Sequence, residues 1–291
     1  MTPDEYCQEK AASSGSSFYY SFRFLPALQR RAITALYAFC REVDDVVDEC
    51  KDEAIALQTL NWWRQEVKNL FTDRPQHPVT KALHPLLGDF NLAEEYFLEI
   101  IDGMEMDLKY SSYQSFKDLS LYCYRAASVV GILSAEIFGF NNRKTLAYAH
   151  DLGMAFQLTN ILRDVREDAQ RGRIYIPADE MEKFGIKIDD LHHPVTSDAV
   201  KALFEFQANR AREFYQKAFK SLPDEDRYSQ RTGLIMSEIY HSLLDEIEED
   251  GFRVLEHKIK LTPMRKFWLA WRASRREKKR HKQHQRLTKT A

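Results

Sequence analysis

The chain is short of the residues that punctuate sheets and turns, with 10 glycines and 9 prolines among 291 residues. That scarcity disfavours a strand-and-turn architecture. Cysteine is rarer still. Cys7, Cys40, Cys50 and Cys123 form no CxxC pair and lie in apolar or helical stretches, so they read as reduced thiols of a cytosolic protein rather than as a disulfide framework. No GxGxxG follows a strand-like stretch, and no nicotinamide cofactor is expected. No apolar run approaches the roughly 20 residues of a spanning helix, the longest candidate, Ala126 to Phe140, being short and holding Glu136. The N-terminus is polar and acidic and does not read as a secretory signal. Internal repeats, strand-rich blocks and obvious linkers are missing too.

What the chain has instead is helical material. Apolar residues make up 44% and charged residues 30%, the balance of long amphipathic helices. Periodicity predicts helices over 3–12, 27–49, 53–71, 79–88, 93–108, 116–139, 143–169, 178–184, 197–221, 228–250 and from 262 onward. The expected fold is all-α, one domain built as a helical bundle around a central cavity. Pro26 opens the second helix in its favoured early position. Gly103 sits inside a helix at a cost of about 1 kcal/mol against alanine, which points to a close backbone approach. Ala126, Ala127, Ser128 and Gly131 leave room beside their backbone for a neighbouring helix or a ligand chain.

Charge is divided unevenly. Residues 265–291 hold eleven Lys or Arg and one acid, Glu277; of the chain's 42 bases and 44 acids, 31 and 43 remain upstream, so the body is near −12 and the tail near +10. The expected division is a catalytic body over 1–264, then the end of the last helix and a basic, flexible tail over 265–291. Such a tail suits an anionic partner, and Trp268 and Trp271 beside Lys and Arg resemble an interfacial helix, with the inner face of the cell membrane as the candidate contact. Packing of Trp268 into the core is the plainer alternative. A nucleic-acid module would rest on the tail alone, and the acidic body argues against it.

Two stripes of polar residues stand out. Gln157, Asn160, Asp164 and Asp168 recur at steps of three or four and so share one helical face, among Leu152, Met154, Phe156, Leu158, Ile161, Leu162 and Val165. Tyr37, Arg41, Asp44 and Asp48 do the same on the 27–49 helix, bordered by Ile33, Leu36, Cys40, Val43 and Val47. Asp45 and Glu49 lie beside this second stripe and read as solvent-facing. Carboxylates embedded in apolar helices are costly unless paired or metal-bound. Four facing one cavity would repel and draw in cations. Mg²⁺ uses one or two carboxylates together with substrate phosphates, and Arg41 and Arg163 suit phosphate oxygens. The implied ligand is a Mg²⁺-bridged diphosphate, and the implied chemistry is its departure to leave a carbocation inside an apolar, aromatic cavity. A bundle held by interhelical Arg–Asp pairs is the bland alternative; buried pairs stabilise little, and the repeated spacing goes unexplained. A di-iron bundle would need Glu-x-x-His on its helices, and none is expected here.

Asp44-Asp-Val-Val-Asp48, Tyr122-Cys-Tyr-Arg-Ala-Ala-Ser-Val-Val-Gly131, Gln157-Leu-Thr-Asn-Ile-Leu-Arg-Asp-Val-Arg-Glu-Asp168 and Gly172-Arg-Ile-Tyr-Ile-Pro177 resemble the squalene/phytoene synthase family. The resemblance runs from about Tyr6 to Trp271. It implies an all-α isoprenoid synthase fold and head-to-head joining of two prenyl diphosphates. Within the family, the segments 17–26, 40–49 and 101–107 look most like bacterial presqualene diphosphate synthases of hopanoid biosynthesis, which use farnesyl diphosphate. Phytoene, dehydrosqualene or squalene synthesis are the alternatives. By this resemblance Asp44, Asp48, Asn160, Asp164 and Asp168 would hold roughly two or three Mg²⁺ ions. Ser17, Phe18, Tyr37, Arg41, Gln157, Arg163, Arg173 and Tyr240 would contact diphosphate or substrate. Tyr122 would assist proton loss, with Tyr124 as its substitute. One position departs from the pattern: Ser16 stands where the family often has a base, so that contact must come from elsewhere, with Arg23 or Arg173 as candidates.

Overall fold

A computed structural model describes residues 1–13, 21–50 and 52–290, the side chains at 284 and 287–290 excepted. Its helices are α1 (Pro3–Ser13), α2 (Ala27–Glu49), α3 (Glu53–Phe71), α4 (Pro78–Leu83), α5 (Glu94–Lys109), α6 (Phe116–Cys123), α7 (Val129–Phe138), α8 (Lys144–Gln170), α9 (Ala178–Lys183), α10 (Asp198–Ser221), α11 (Arg231–Glu249) and α12 (Pro263–Thr290). Among the described residues there is no strand, only an isolated parallel bridge between Ser112 and Ile174. The all-α expectation holds, and most predicted helices lie within a residue or two of the observed ones.

Local chemistry explains the boundaries. Pro26 is the N-cap of α2, fixing φ where the helix has no donor to lose. Asp52 caps α3 by accepting from the amides of Ala54 and Ile55 at 2.9 and 3.1 Å. The predicted loop 72–78 is held by buried Glu66, which accepts from the amides of Gln76 and His77 at 2.6 and 2.8 Å. Buried Asp226 accepts from the amides of Asn141 and Asn142 and from the Thr145 hydroxyl. It thereby adds to the acceptor that Asn142 itself offers, through its Oδ1, to the Lys144 amide at 3.1 Å.

Two apolar cores form. One gathers α2, α3, α5 and one side of α7; the other gathers α8, α10, α11 and the segment that follows α11. Helix α8 is central, packing along α10 on one side and on α7 on the other. The expected long helix 116–139 is continuous but carries a π-helical turn at Tyr124–Ser128, a device that often re-aims side chains at functional sites. Two glycines make room for it. A Cβ on Gly103 would lie 2.9 Å from Arg125 Cβ, and one on Gly153 would lie 2.6 Å from Ser128 Cα and 2.7 Å from Ala127 O. The close approach read from Gly103 is therefore present, and a tighter one occurs at Gly153. Gly153→Ala is expected to destabilise the protein by about 1–3 kcal/mol in denaturant unfolding, the range for overpacking, although alanine favours an isolated helix by about 1 kcal/mol. A stabilised variant would show that the crossing can dilate.

Phe116–Phe138 is long and apolar enough to cross a membrane by length and composition, with mean hydropathy 1.3. This corrects the expectation that no run of that length exists. Half of that window is buried, against α5 and α8, as in a core helix.

Candidate functional site

The two stripes face one another. Asp44, Asp48 and Arg41 from α2, and Gln157, Asn160, Arg163, Asp164 and Asp168 from α8, line one polar pocket. An apolar cavity adjoins it, enclosing about 1000 Å³ including its mouth, with walls that include Phe22, Leu36, Val130, Leu152, Phe156 and Met236. Cys40, Ala126, Gln157 and Asn160 line both, so the polar pocket and the apolar one lie against each other. Tyr37 lies on the apolar side of this junction, edge-on to Phe22. Ala127 and Gly131 help form the apolar wall; the room beside their backbone serves both the helix crossing and the cavity.

Guanidinium groups occupy the carboxylates. Arg41 bonds Asp44 and also Asp45, which Lys10 holds as well at 2.8 Å. The reading of Asp45 as solvent-facing is thus corrected: it anchors Arg41 and α1, while Glu49 is exposed. Arg173 donates to Asp48 at 2.7 Å and to the Val47 carbonyl at 2.8 Å, and Arg171 reaches Asp48 at 3.2 Å. Arg163 forks onto Asp164, with its Nε 2.8 Å from Oδ1, and Lys258 Nζ stands 3.4 Å from the same oxygen. Gly172, at φ +77°, makes the turn that presents Arg171 and Arg173. The Ile174 and Ala178 amides then pin the following stretch to the carbonyls of Ser111 and Tyr113.

These environments push the acids apart electrostatically. Burial raises Asp44 to about 6 against the opposing pull of Arg41. Burial, then the charges of Asp164 and Asp107, raise Asp168 to about 7. Burial acts the same way on Asp164, yet Arg163 and Lys258 hold it below the ordinary carboxylate range. Asp107, which lines the same pocket, is likewise raised by burial to about 6. A pocket with one acid held low and three pushed up is short of positive charge. Among the described residues no three His, Cys, Asp or Glu side chains already converge as a metal site. The buried Oδ1 of Asn160 has no hydrogen-bond partner, although buried acceptors are almost always paired. An oxygen-preferring cation fits this donor set of carboxylates and one unmet amide oxygen.

Tyr122 is buried and lines the polar pocket. Its hydroxyl donates to Asp107 at 3.0 Å, and Tyr175, stacked on it at 5.0 Å, donates to the other Asp107 oxygen at 2.7 Å. Burial, and then Asp107 beside it, drive the Tyr122 phenol well above its usual range, so it stays protonated. Tyr124, the first residue of the π-helical turn, packs near His150 and lines neither cavity. Tyr240 sits behind the pocket wall, against Phe156 at 4.6 Å, and bonds Asn160 and Arg163. Arg23 is exposed and lines neither cavity, leaving Arg173 as the base at the site. Ser17 and Phe18, with Ser16, lie outside the described residues.

Sequence reasoning missed Asp107, Tyr175, Arg171 and Lys258 as parts of the site. Asp107 carried no signal within its own helix, because the two tyrosines that meet on its carboxylate come from other segments. Lys258 carried none, because it lies in an irregular stretch whose path only the fold decides. A Glu-x-x-His does occur, Glu238-Ile-Tyr-His241 on α11, but Glu238 pairs with Arg272 and Arg276 and His241 packs against the Tyr215 ring at 4.1 Å. The di-iron alternative gains nothing from it.

The family model of squalene/phytoene synthases matches residues 11–265. The chain is 36% identical over 262 residues to a presqualene diphosphate synthase of Sinorhizobium fredii, covering 90% of this chain and 94% of that one. The chain belongs to the squalene/phytoene synthase family. Its members are prenyltransferase-type enzymes. Another relative, a phytoene synthase of Arthrospira platensis, is 35% identical over 270 residues, covering 87% of this chain and 86% of the relative. A dehydrosqualene synthase solved with a ligand superimposes with a TM-score of 0.83 at 28% identity, over 95% of this chain and 97% of that one. A squalene synthase from Alicyclobacillus acidocaldarius gives 0.77 at 27% identity, over 86% and 94%. The polar pocket and apolar cavity thus belong to a squalene/phytoene synthase fold.

Proposed function

We propose that this family member joins two farnesyl diphosphates head to head into presqualene diphosphate, releasing one diphosphate, as a step toward hopanoids. The observation that carries the reading is the shared wall at Cys40, Ala126, Gln157 and Asn160, where a carboxylate–guanidinium pocket meets an apolar cavity. An amphiphile with an anionic head and a hydrocarbon tail suits that arrangement. The relative named presqualene diphosphate synthase supports the product.

In this reading Asp44, Asp48, Asn160, Asp164 and Asp168 would hold Mg²⁺, which supplies Lewis-acid stabilisation of the departing diphosphate. Arg41, Arg163 and Arg173 are preset on those carboxylates and would transfer hydrogen bonds to diphosphate oxygens. Gln157 and Tyr37 stand at the junction where head and tail divide, and Tyr240 positions Arg163 and Asn160. Ser17 and Phe18 enter by resemblance alone. The C1–O bond of the donor breaks, its allylic cation adds to the 2,3 double bond of the acceptor, and loss of a proton closes a cyclopropane. The apolar walls exclude water from the cation. Tyr122 takes that proton on its hydroxyl oxygen as its own passes along the hydrogen bond to Asp107. The acceptor keeps its diphosphate, and with no reductant expected the reaction stops there.

Formation of phytoene from geranylgeranyl diphosphate is the second reading, favoured by the relatives named phytoene synthase. Purified protein with farnesyl diphosphate and Mg²⁺ is expected to give presqualene diphosphate by mass spectrometry, with or without NADPH. Squalene appearing only with NADPH would overturn the product. Turnover of geranylgeranyl but not farnesyl diphosphate would overturn the substrate.

A further inference from the structure

Helix α12 has two unlike faces. Leu269, Ala270, Ala273 and Glu277 are buried on one side. Arg227 binds Glu277 at 3.0 Å, Arg276 reaches Glu238 at 2.6 Å, and His281 stacks on Tyr228 at 4.0 Å. The helix is therefore fastened to the body as far as His281. On the opposite side Met264, Phe267, Trp268 and Trp271 stand 83, 55, 50 and 43% exposed. Their steps of three, one and three residues keep them on one helical face. Arg275, Lys278 and Lys282 continue the same line, all exposed. Arg272 lies over the Trp268 ring at 4.6 Å and Arg275 over Trp271 at 4.8 Å.

We propose that this outward face of α12 docks the protein on an anionic phospholipid bilayer, with Met264, Phe267, Trp268 and Trp271 entering the headgroup–acyl boundary and Arg275, Lys278 and Lys282 lying on the phosphates. Charge complementarity selects this occupant: the stripe is basic on a body that is net acidic. Indole rings partner with a lipid interface, where one edge is apolar and the other wet. A nucleic acid would pair with the bases and leave Met264 and Phe267 uncovered. The inward side of the same helix carries Lys266, within electrostatic reach of Arg163, and Lys258 just upstream reaches Asp164 at 3.4 Å. Docking would therefore hold the polar pocket beside the surface in which prenyl lipids dissolve.

The test is co-sedimentation of the full chain with vesicles of phosphatidylglycerol and phosphatidylcholine against vesicles of phosphatidylcholine alone. At least tenfold stronger partitioning onto the anionic vesicles is expected, weakened by 0.5 M salt as screening requires (a Debye length of about 3 Å at 1 M and about 10 Å at 0.1 M). A triple variant, Phe267→Ser, Trp268→Ser and Trp271→Ser, should lose at least tenfold in vesicle binding while its helicity and its activity on detergent-dispersed substrate stay as in the parent. Lys278→Glu with Lys282→Glu should remove the preference for anionic lipid. Parent-like vesicle binding by the triple variant overturns the proposal. So does a parent that is dimeric where the triple variant is monomeric, which would make the face a contact between copies. Tighter binding to duplex DNA than to anionic vesicles overturns it as well.

Discussion

Asp164→Asn is expected to lower turnover by about 10³-fold, a transition-state loss of roughly 4 kcal/mol. Asp164 is the acid most firmly held in its ionised form, because Arg163 and Lys258 both bear on it. It is also the member of the α8 stripe that aligns Arg163 toward the pocket. Asparagine keeps the size and can still accept from Arg163, so the fold should survive with a stability loss of less than about 2 kcal/mol, in line with weakening one hydrogen-bonded pair. Magnesium-dependent retention of a diphosphate ligand in equilibrium dialysis should weaken as well. Activity that survives while Mg²⁺ is still required would show that the metal is held elsewhere, for instance by Asp44 and Asp168 alone.

Tyr122→Phe is expected to reduce product formation by about 10²-fold or more, the usual scale for one positioned proton-transfer group, with binding of the diphosphate substrate little changed. The hydroxyl is 3.0 Å from an Asp107 oxygen and lies in the pocket wall. Because it donates toward Asp107, its lone pairs remain available toward the cavity. Asp107→Asn should impair the same step by a similar factor, since an amide does not accept the relayed proton. In Tyr122→Phe, Tyr175 still donates to Asp107, so a collapse of the fold is not expected. Unchanged turnover in the phenylalanine variant, with parent-like thermal unfolding, would remove Tyr122 from the proton path. A partner-dependence test follows from the shared carboxylate: the double variant should be little worse than either single one, as for residues acting as one unit.

Helix content was legible because it rests on short-range periodicity. The apolar steps through 27–49, 53–71 and 143–169 are repeated many times, and each repetition reinforces the same reading. The two aspartate stripes were legible for the same reason: helical spacing puts Asp44 and Asp48, or Asp164 and Asp168, on one face without any knowledge of the fold. The π-helical turn was not. Its cause is steric, a close passage of Gly103 and Gly153 against residues 125–128, and nothing within 116–139 announces it. Asp107 was similarly hidden, since its importance lies in two tyrosines, one from α6 and one from the loop after α8, that meet on its carboxylate.

The tail illustrates the division in another way. Composition revealed its charge and its tryptophans, but not which of them face outward. Glu277, a single acid in a basic run, proved to be a buried anchor for Arg227 and Arg276. Trp268, for which core packing was the plainer alternative, is half exposed.

The sequence by itself determined an all-α chain and two polar stripes suited to anion and metal handling, because both are written in spacings of three and four residues, while the resemblance to the family rested on its motifs. Only the tertiary structure decided that the stripes meet at one pocket and that this pocket adjoins an apolar cavity. It also decided that Arg173 and Lys258 stand on the carboxylates of Asp48 and Asp164. Those facts depend on helix crossings and loop paths between residues up to 125 positions apart, and local periodicity carries no record of how distant helices cross.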